Sequence, residues 1–167
     1  MNDELQGTEG IELVVRQAQL EDAMDVFRWR NDPLVCAVSR QHETISEAEH
    51  MTWYSRALDD PNRLLFIGIL EGKKIGIVRF DNRLESVWEV SINVASKVRG
   101  RGLGQCLLRV ALRHLYRGFP LAFVLAVARL NNQSSLKLFH AVGFDRASDD
   151  GVFVSLVLTP VTTKLVP

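Results

Sequence analysis

Three glycines fall within five residues in the run Val98-Arg99-Gly100-Arg101-Gly102-Leu103-Gly104. Glycines let a backbone approach a ligand closely and supply positive φ angles. The preceding residues 86–95 alternate: Val87, Glu89, Ser91 and Asn93 share one face, Trp88, Val90, Ile92 and Val94 the other, which predicts a strand. After the loop, Leu103, Leu107, Val110, Ala111 and Leu115 recur at helical spacing. A strand, a glycine loop and a helix in that order bring free backbone N–H groups and the positive end of a helix dipole to one point, with Arg99 and Arg101 beside it. That is the chemistry of a phosphate site, most naturally a pyrophosphate site. No G-x-G-x-x-G with an acidic residue about 20 positions later is present, and no Gly-Lys-Ser/Thr closes the loop. A dinucleotide fingerprint and a P-loop are therefore both excluded.

The elements around this loop read as one domain over residues 11–160, between a flexible N-terminus (1–10) and a C-terminal tail (161–167). Residues 11–18 predict a strand and residues 21–30 a helix stopped by Pro33. Residues 34–43 read as irregular. Ser46 and Glu49 form a capping box that starts a helix running to about residue 58. Residues 63–71 and 73–82 are two strands joined by a tight turn at Glu71-Gly72-Lys73, and residues 86–95 add a third antiparallel strand. Residues 121–128, LAFVLAVA, predict a strand buried on both faces. A helix over 131–142 ends at Gly143, and residues 151–158 form the last strand.

Composition narrows the function classes. The chain has 167 residues, 47% of them hydrophobic, and a formal charge of zero. It has no apolar run long enough to span a bilayer, and its polar, acidic start is unlike a secretory signal, so a cytoplasmic protein without a membrane partner is expected. The neutral total hides an asymmetry: acidic residues crowd the first sixty positions, and none falls between Val90 and Phe144. The basic stretch suits a polyanionic ligand. Without an aromatic platform among those residues, nucleic acid is not expected. Cys36 and Cys106 are too few for a disulfide framework, and the four histidines show no metal-ligand spacing.

The spacing Arg99-x-x-Gly102-x-Gly104 after a strand resembles the cofactor loop of the GNAT N-acetyltransferases. A second run, Asn132-Gln133-Ser134-Ser135-Leu136-Lys137-Leu138-Phe139-His140-Ala141-Val142-Gly143-Phe144, is similar to that family's N-x-x-A/S-x-x-L-Y-x-x-x-G-F helix. The order of elements is similar over essentially the whole chain. The resemblance implies an α/β GNAT fold, a mixed central sheet of about seven strands flanked by about four helices, and acetyl-CoA as cofactor. It implies that Arg99, Gly100, Arg101, Gly102, Leu103, Gly104 and Gln105 hold the pyrophosphate, and that Asn132 and Ser135 reach the pantetheine side. It also implies a backbone N–H among Ile92, Asn93 and Val94 that polarises the acetyl carbonyl. Phe139 stands where the family usually has a tyrosine that protonates the departing thiolate, and a phenyl ring has no proton to give.

Acetyl transfer to an amine also needs a base, because a protonated amine cannot attack. Glu89 is the candidate; it shares its face with Ser91 and Asn93, and burial beside apolar walls would make it more basic. The alternative is an exposed strand glutamate. No cysteine is placed as a nucleophile, so direct transfer in a ternary complex is expected. Trp29-Arg30-Asn31-Asp32, with Glu49-His50-Met51-Thr52-Trp53 downstream, looks like acetyltransferases that modify a 4-amino sugar on a nucleotide carrier in nonulosonic acid biosynthesis. Ribosomal-protein N-terminal acetyltransferases share the first element. Trp29, Arg30, Asn31, His50 and Trp53 are accordingly candidate acceptor-binding residues, with His42 nearby. The bland reading makes Trp29 and Trp53 core aromatics and His50 a packing residue. The expected acceptor is a small-molecule amine, a nucleotide-sugar first and a peptide second, and the chain a monomer or homodimer. A catalytically weak acyl-CoA-binding module is the reading that Phe139 keeps open.

Overall fold

The alternation over residues 86–95 becomes strand β5, Val87–Val94, in the computed structural model, which describes residues 3–7, 11–40 and 42–160. In chain order the other elements are β1 Asp3–Gly7, β2 Ile11–Gln17, α1 Ala23–Arg30, α2 Pro33–Val38, α3 Glu47–Asp59, β3 Arg63–Leu70 and β4 Lys73–Leu84. After β5 come α4 Leu103–Gly118, β6 Phe123–Arg129, α5 Gln133–Val142, β7 Asp145–Asp149 and β8 Phe153–Leu158. One mixed sheet runs in the order β1-β2-β3-β4-β5-β6-β8-β7. Every neighbouring pair is antiparallel except β5 and β6, which are parallel.

The mixed α/β architecture is the expected one. Several of its joints are written in local sequence. Glu71 and Gly72 have φ of 49° and 74°, the two left-handed residues that a two-residue hairpin of matching twist requires between β3 and β4. Ser46 Oγ accepts from Glu49 N at 3.3 Å, and Ser46 N donates to Glu49 Oε2 at 2.8 Å, so the capping box starts α3 as read. Gly143 closes α5 in a left-handed conformation, φ 110°.

Four features differ from the sequence reading. Asp3–Gly7, placed in the flexible N-terminus, pairs with β2 as the edge strand; residues 1–2, 8–10 and the expected tail over 161–167 lie outside the described residues. Residues 34–38, part of the stretch read as irregular, form α2 together with Pro33, because Asp32 caps it by accepting from Leu34 N at 2.9 Å and Pro33 sits where a helix tolerates it. β7 carries no apolar alternation; its five residues are all exposed. β6 is not buried on both faces: Val124, Ala126 and Ala128 are buried, whereas Leu125 and Val127 are only partly covered and Phe123 is exposed. The uncovered side of β6 borders the open face described below.

Two layers of helix cover the sheet. On one face α4 and α5 enclose the larger core, with Leu107, Leu108, Val110, Ala111 and Leu115 against Phe80, Trp88, Val90, Val124 and Ala126. Each fully buried Leu or Val side chain there contributes about 1.5–3 kcal/mol. On the other face α1 and α3 pack Val26, Trp29, Tyr54 and Ala57 against Leu65, Ile67 and Ile77. Among the described residues no helix is long and apolar enough to cross a membrane.

The second layer is pinned by a buried carboxylate. Asp22, fully buried just before α1, takes a bidentate Arg16 at 2.7 and 2.8 Å, Lys74 at 2.7 Å and the N–H of Gln19 at 2.8 Å. Burial works against its charge, but the bonds from Arg16, Lys74 and Gln19 outweigh it and bring the carboxyl from 3.8 down to about 2. A depressed carboxyl stabilises the fold above its unfolded value and loses that contribution as pH falls through the folded one. We expect Asp22→Asn to cost about 2 kcal/mol at neutral pH. Urea melts should show wild type and variant converging as pH falls from about 4 to about 2.

Candidate active site

β5 and β6 pair for only four residues, from Val87↔Phe123 to Val90↔Ala126. Beyond that point β5 stays on β4 as far as Gly76↔Val94, and β6 stays on β8 as far as Arg129↔Phe153, so a gap opens between them. The N–H of Ala95 bonds the carbonyl of Ile75 in β4, at 2.8 Å. Strand backbones alternate, so Val94 and Ile92 turn their N–H groups the other way, into the gap. Asn93 faces β4 instead: its carbonyl lies 2.6 Å from where a Cβ on Gly76 would stand. Of the three residues named for carbonyl polarisation, Ile92 and Val94 offer donors to the gap and Asn93 does not.

Both helices of the larger core begin at this gap, because α4 follows β5 and α5 follows β6. Gly102 caps α4 with φ 73° and no side-chain cap bond, and Gly100 has φ 75°. Nothing lies within 4 Å of a Cβ built on either, so the loop is an open cradle. The N–H groups of Gly102, Leu103 and Gly104 make no hydrogen bond to the described residues. Gln105 donates its N–H to Gly102 O at 3.1 Å. Gly104 also has a packing purpose: a Cβ there would meet Leu138 Cδ1 at 2.7 Å, so it sets the approach of α5 to α4. Asn132 caps α5, its Oδ1 accepting from Ser135 N at 3.1 Å. Phe139 is 4% exposed and its ring lies 5.1 Å from that of Phe144, within the larger core.

Arg101 is exposed at the loop, but Arg99 is turned inward. Its Nε donates to Val94 O at 2.9 Å and its Nη1 to Asp32 Oδ1 at 3.2 Å, while Nη2 is buried without an acceptor. Burial opposes the Asp32 charge, and Arg99 with the N–H of Leu34 more than offsets it, holding the carboxyl below its usual range. An orphaned guanidinium donor, open N–H groups and a helix N-terminus fit a pyrophosphate.

The candidate acceptor residues divide. Trp29 is buried under α3. Asn31 braces the α2–α3 loop, donating to Ile45 O at 2.8 Å and accepting from Ile45 N at 3.0 Å. His50 is 1% exposed, with Nε2 2.7 Å from Ala23 O and its ring among Phe27, Trp53 and Tyr54. Burial lowers its pKa more than the Ala23 bond raises it, so it is a neutral packing residue. Arg30 Nη1 lies 3.6 Å from Cys36 Sγ, beside α2. Only Trp53 presents a partly open ring, with the Arg79 guanidinium 5.5 Å from its centre.

Around Trp53 the sheet gathers charges that local reading missed. Arg79, Asp81 and Glu89 share a face; Asp81 is the cross-strand partner of Glu89. Asp81 is buried, with Arg79 at 2.8 Å and Arg63 at 3.2 Å. Glu89 is not walled by apolar groups as expected: Arg40 reaches Oε1 at 2.8 Å and Arg83 reaches Oε2 at 3.0 Å. The alternation Arg79, Asp81, Arg83 between buried Val78 and Phe80 was the available signal. A groove of about 690 Å³ adjoins this cluster, between Glu49, Thr52, Trp53 and Arg56 of α3, Asp60 after it and Arg63 at the start of β3.

A splayed parallel strand pair with a glycine loop and two helix N-termini at its mouth defines an enzyme that takes a group from a pyrophosphate-bearing carrier. The acetyltransferase (GNAT) domain family matches residues 12–145, and the chain belongs to it. It is an N-acetyltransferase with acetyl-CoA as donor. No curated protein matches the chain in sequence. Among solved structures, a domain from Methanocaldococcus jannaschii is similar at TM-score 0.77 and 22% identity, over 89% of this chain and 99% of that one. The spermidine N-acetyltransferase of Vibrio cholerae, in complex with CoA and spermine, is similar at TM-score 0.77 and 16% identity, over 89% and 95%. A Salmonella typhimurium protein solved with its cofactor acetyl-CoA is similar at TM-score 0.74 and 19% identity, over 88% and 93%. At these identities the likeness is one of fold.

The loop geometry separates cofactor binding from packing. Gly102→Ala places a methyl group in open space and imposes left-handed strain of about 1–2 kcal/mol. We expect a small drop in melting temperature and a loss of at least about tenfold in acetyl-CoA affinity by calorimetry, equivalent to about 1.4 kcal/mol. Unchanged affinity would remove the cradle from the binding site.

Proposed function

We propose that the chain acetylates the primary amine of a nucleotide-linked amino sugar, by direct attack in a ternary complex. The observation that carries this reading is the network in which Arg40, Arg63, Arg79 and Arg83 meet through Asp81 and Glu89, with Trp53 stacked on Arg79 and sharing a groove with Arg63. Four guanidiniums there face three carboxylates, Asp60, Asp81 and Glu89. An aromatic ring edged by arginines suits a base or sugar ring joined to a diphosphate. The Vibrio cholerae relative, by contrast, was solved with spermine. A polycation brought to this face would meet a small excess of positive charge, which disfavours it relative to an anion. With acetyl-CoA as donor, the reading is of a cytoplasmic enzyme.

Bound acetyl-CoA supplies an acetyl thioester. The N–H groups of Ile92 and Val94 stand as donors for its carbonyl oxygen, a role worth about 10²–10³ in rate where measured in other enzymes. Gly102, Leu103 and Gly104 N–H groups, the α4 dipole and Arg99 with Arg101 take the pyrophosphate; Asn132 and Ser135 line the pantetheine side. Glu89 receives the proton that leaves the amine as the new N–C bond forms and the C–S bond breaks. The sulfur leaves as thiolate and is protonated by solvent, since Phe139 is buried.

Two measurements test this. Thiol release with saturating acetyl-CoA is followed for a nucleotide-diphosphate-linked 4-amino sugar, spermidine and a peptide with a free N-terminus. The sugar nucleotide should exceed both others in kcat/KM by about tenfold or more, about 1.4 kcal/mol; spermidine as the better acceptor would overturn the reading. Glu89→Gln should lower turnover about 10²-fold at neutral pH and recover partly at high pH, where free amine is abundant. An unchanged pH–rate profile removes Glu89 as the base.

A further inference from the structure

Glu89 is fully engaged before any substrate arrives, and its two partners are not equivalent. Arg83 belongs to β4, the strand hydrogen-bonded to the one that carries Glu89, and holds Oε2 at 3.0 Å. Arg40 belongs to the loop between α2 and α3, its side chain is 49% exposed, and it holds Oε1 at 2.8 Å. That loop has an independent tether: Arg129, at the end of β6, donates from Nε to Ser39 O at 3.1 Å and contacts His42 Nε2. The loop therefore stays across the acceptor face whether or not Arg40 holds Glu89. An exposed ion pair is worth little against water, so a better anion can take one partner from it. A phosphate is such an anion, because it accepts two parallel N–H bonds from one guanidinium.

We propose that Arg40 is an exchangeable acceptor-binding residue: it neutralises Glu89 in the free enzyme and passes to a phosphate of the acceptor, releasing Glu89 to take the amine proton. This rests on the nucleotide-linked acceptor proposed above and adds how that acceptor is selected. Of the other arginines in this network, Arg79 and Arg63 pair with buried Asp81, and Arg83, although its side chain is 50% exposed, springs from β4 itself. Exposure does not separate Arg40 from Arg83; Arg40 alone joins a loop position to direct contact with the candidate base. Recognition of the phosphate and exposure of the base then become one event. An amine without an anionic group binds to an enzyme whose base is still paired, and reacts slowly.

The exchange makes the effect of Arg40→Gln depend on the acceptor. For the nucleotide-diphosphate-linked 4-amino sugar, KM should rise about tenfold or more. For the methyl glycoside of the same amino sugar, which carries no phosphate, kcat/KM should rise several-fold, because Glu89 has lost a competing cation. Calorimetry of uridine diphosphate with the protein free of acetyl-CoA should show binding weakened about tenfold in Arg40→Gln and partly restored in Arg40→Lys. Arg129→Gln, which cuts the other tether, should slow both acceptors alike, the signature of a merely structural loop. If Arg40→Gln also slows both alike, or leaves their ratio unmoved while wild type turns over the sugar nucleotide, the exchange is overturned and the acceptor reading stands. Wild type that leaves the sugar nucleotide untouched overturns the acceptor reading, and the exchange with it.

Discussion

Four residues of parallel pairing between β5 and β6 set the geometry on which the rest of the site depends. Each strand has a stronger claim on its outer neighbour: β5 remains paired to β4 for its whole length, and β6 to β8. The two cannot stay together once the twist of each half of the sheet carries them apart. The backbone donors of Ile92 and Val94 are left facing a gap. A donor that water reaches is inexpensive, and one enclosed by a ligand must find an acceptor. The same parting fixes where helices can start. Because β5 and β6 are parallel, α4 and α5 both begin at the mouth of the gap, and their dipoles add there. Gly104, at the start of α4, then lets Leu138 in the middle of α5 pack closely against it.

The opposite face of the sheet follows a different rule. Burying Asp22 beside Arg16 and Lys74 anchors α1 with every oxygen engaged, which makes that corner rigid. Asp81 is also buried among arginines, but its Oδ1 and Arg79 Nε lack hydrogen bonds of good geometry. Arg79 and Arg63 nevertheless stay beside it, at 2.8 and 3.2 Å, because a buried carboxylate left without its partners is costly. Among these charges Arg40, on its loop, is the one placed to change partners, while the Asp22 corner beneath is locked.

Sequence made the cofactor side legible because its signals are local. Left-handed glycines, helix caps and strand alternation act within a few residues, and the loop, the α3 capping box and the Gly143 cap follow from them. The acceptor side is made by long-range contacts. Arg40 meets Glu89 across 49 positions and Arg129 meets Ser39 across 90, and no periodicity records either. Trp29, Asn31 and His50 have the residue types of a binding surface, yet helix packing uses them internally. The apolar run of β6 misled for a related reason. Leu125 and Val127 face the partly open side, where an apolar wall serves a cleft as well as a core.

Phe139 bears on how the reaction disposes of its leaving group. Its ring is sealed against Phe144, so this position contributes packing and no proton. Other phenols are no substitute. Tyr54 donates its hydroxyl to Gln19 O at 3.1 Å, and burial drives its pKa far above the ordinary range. Tyr116 lies near the far end of α4; at about 1.5 Å per residue that is about 20 Å from the glycine loop. What the gap does offer is positive potential from two helix N-termini and from Arg99 and Arg101. Such a field stabilises a thiolate directly, as it lowers the pKa of cysteines placed at helix N-termini. A site that can accept the leaving group as an anion has no need of a dedicated acid, and position 139 is then free to become part of the core.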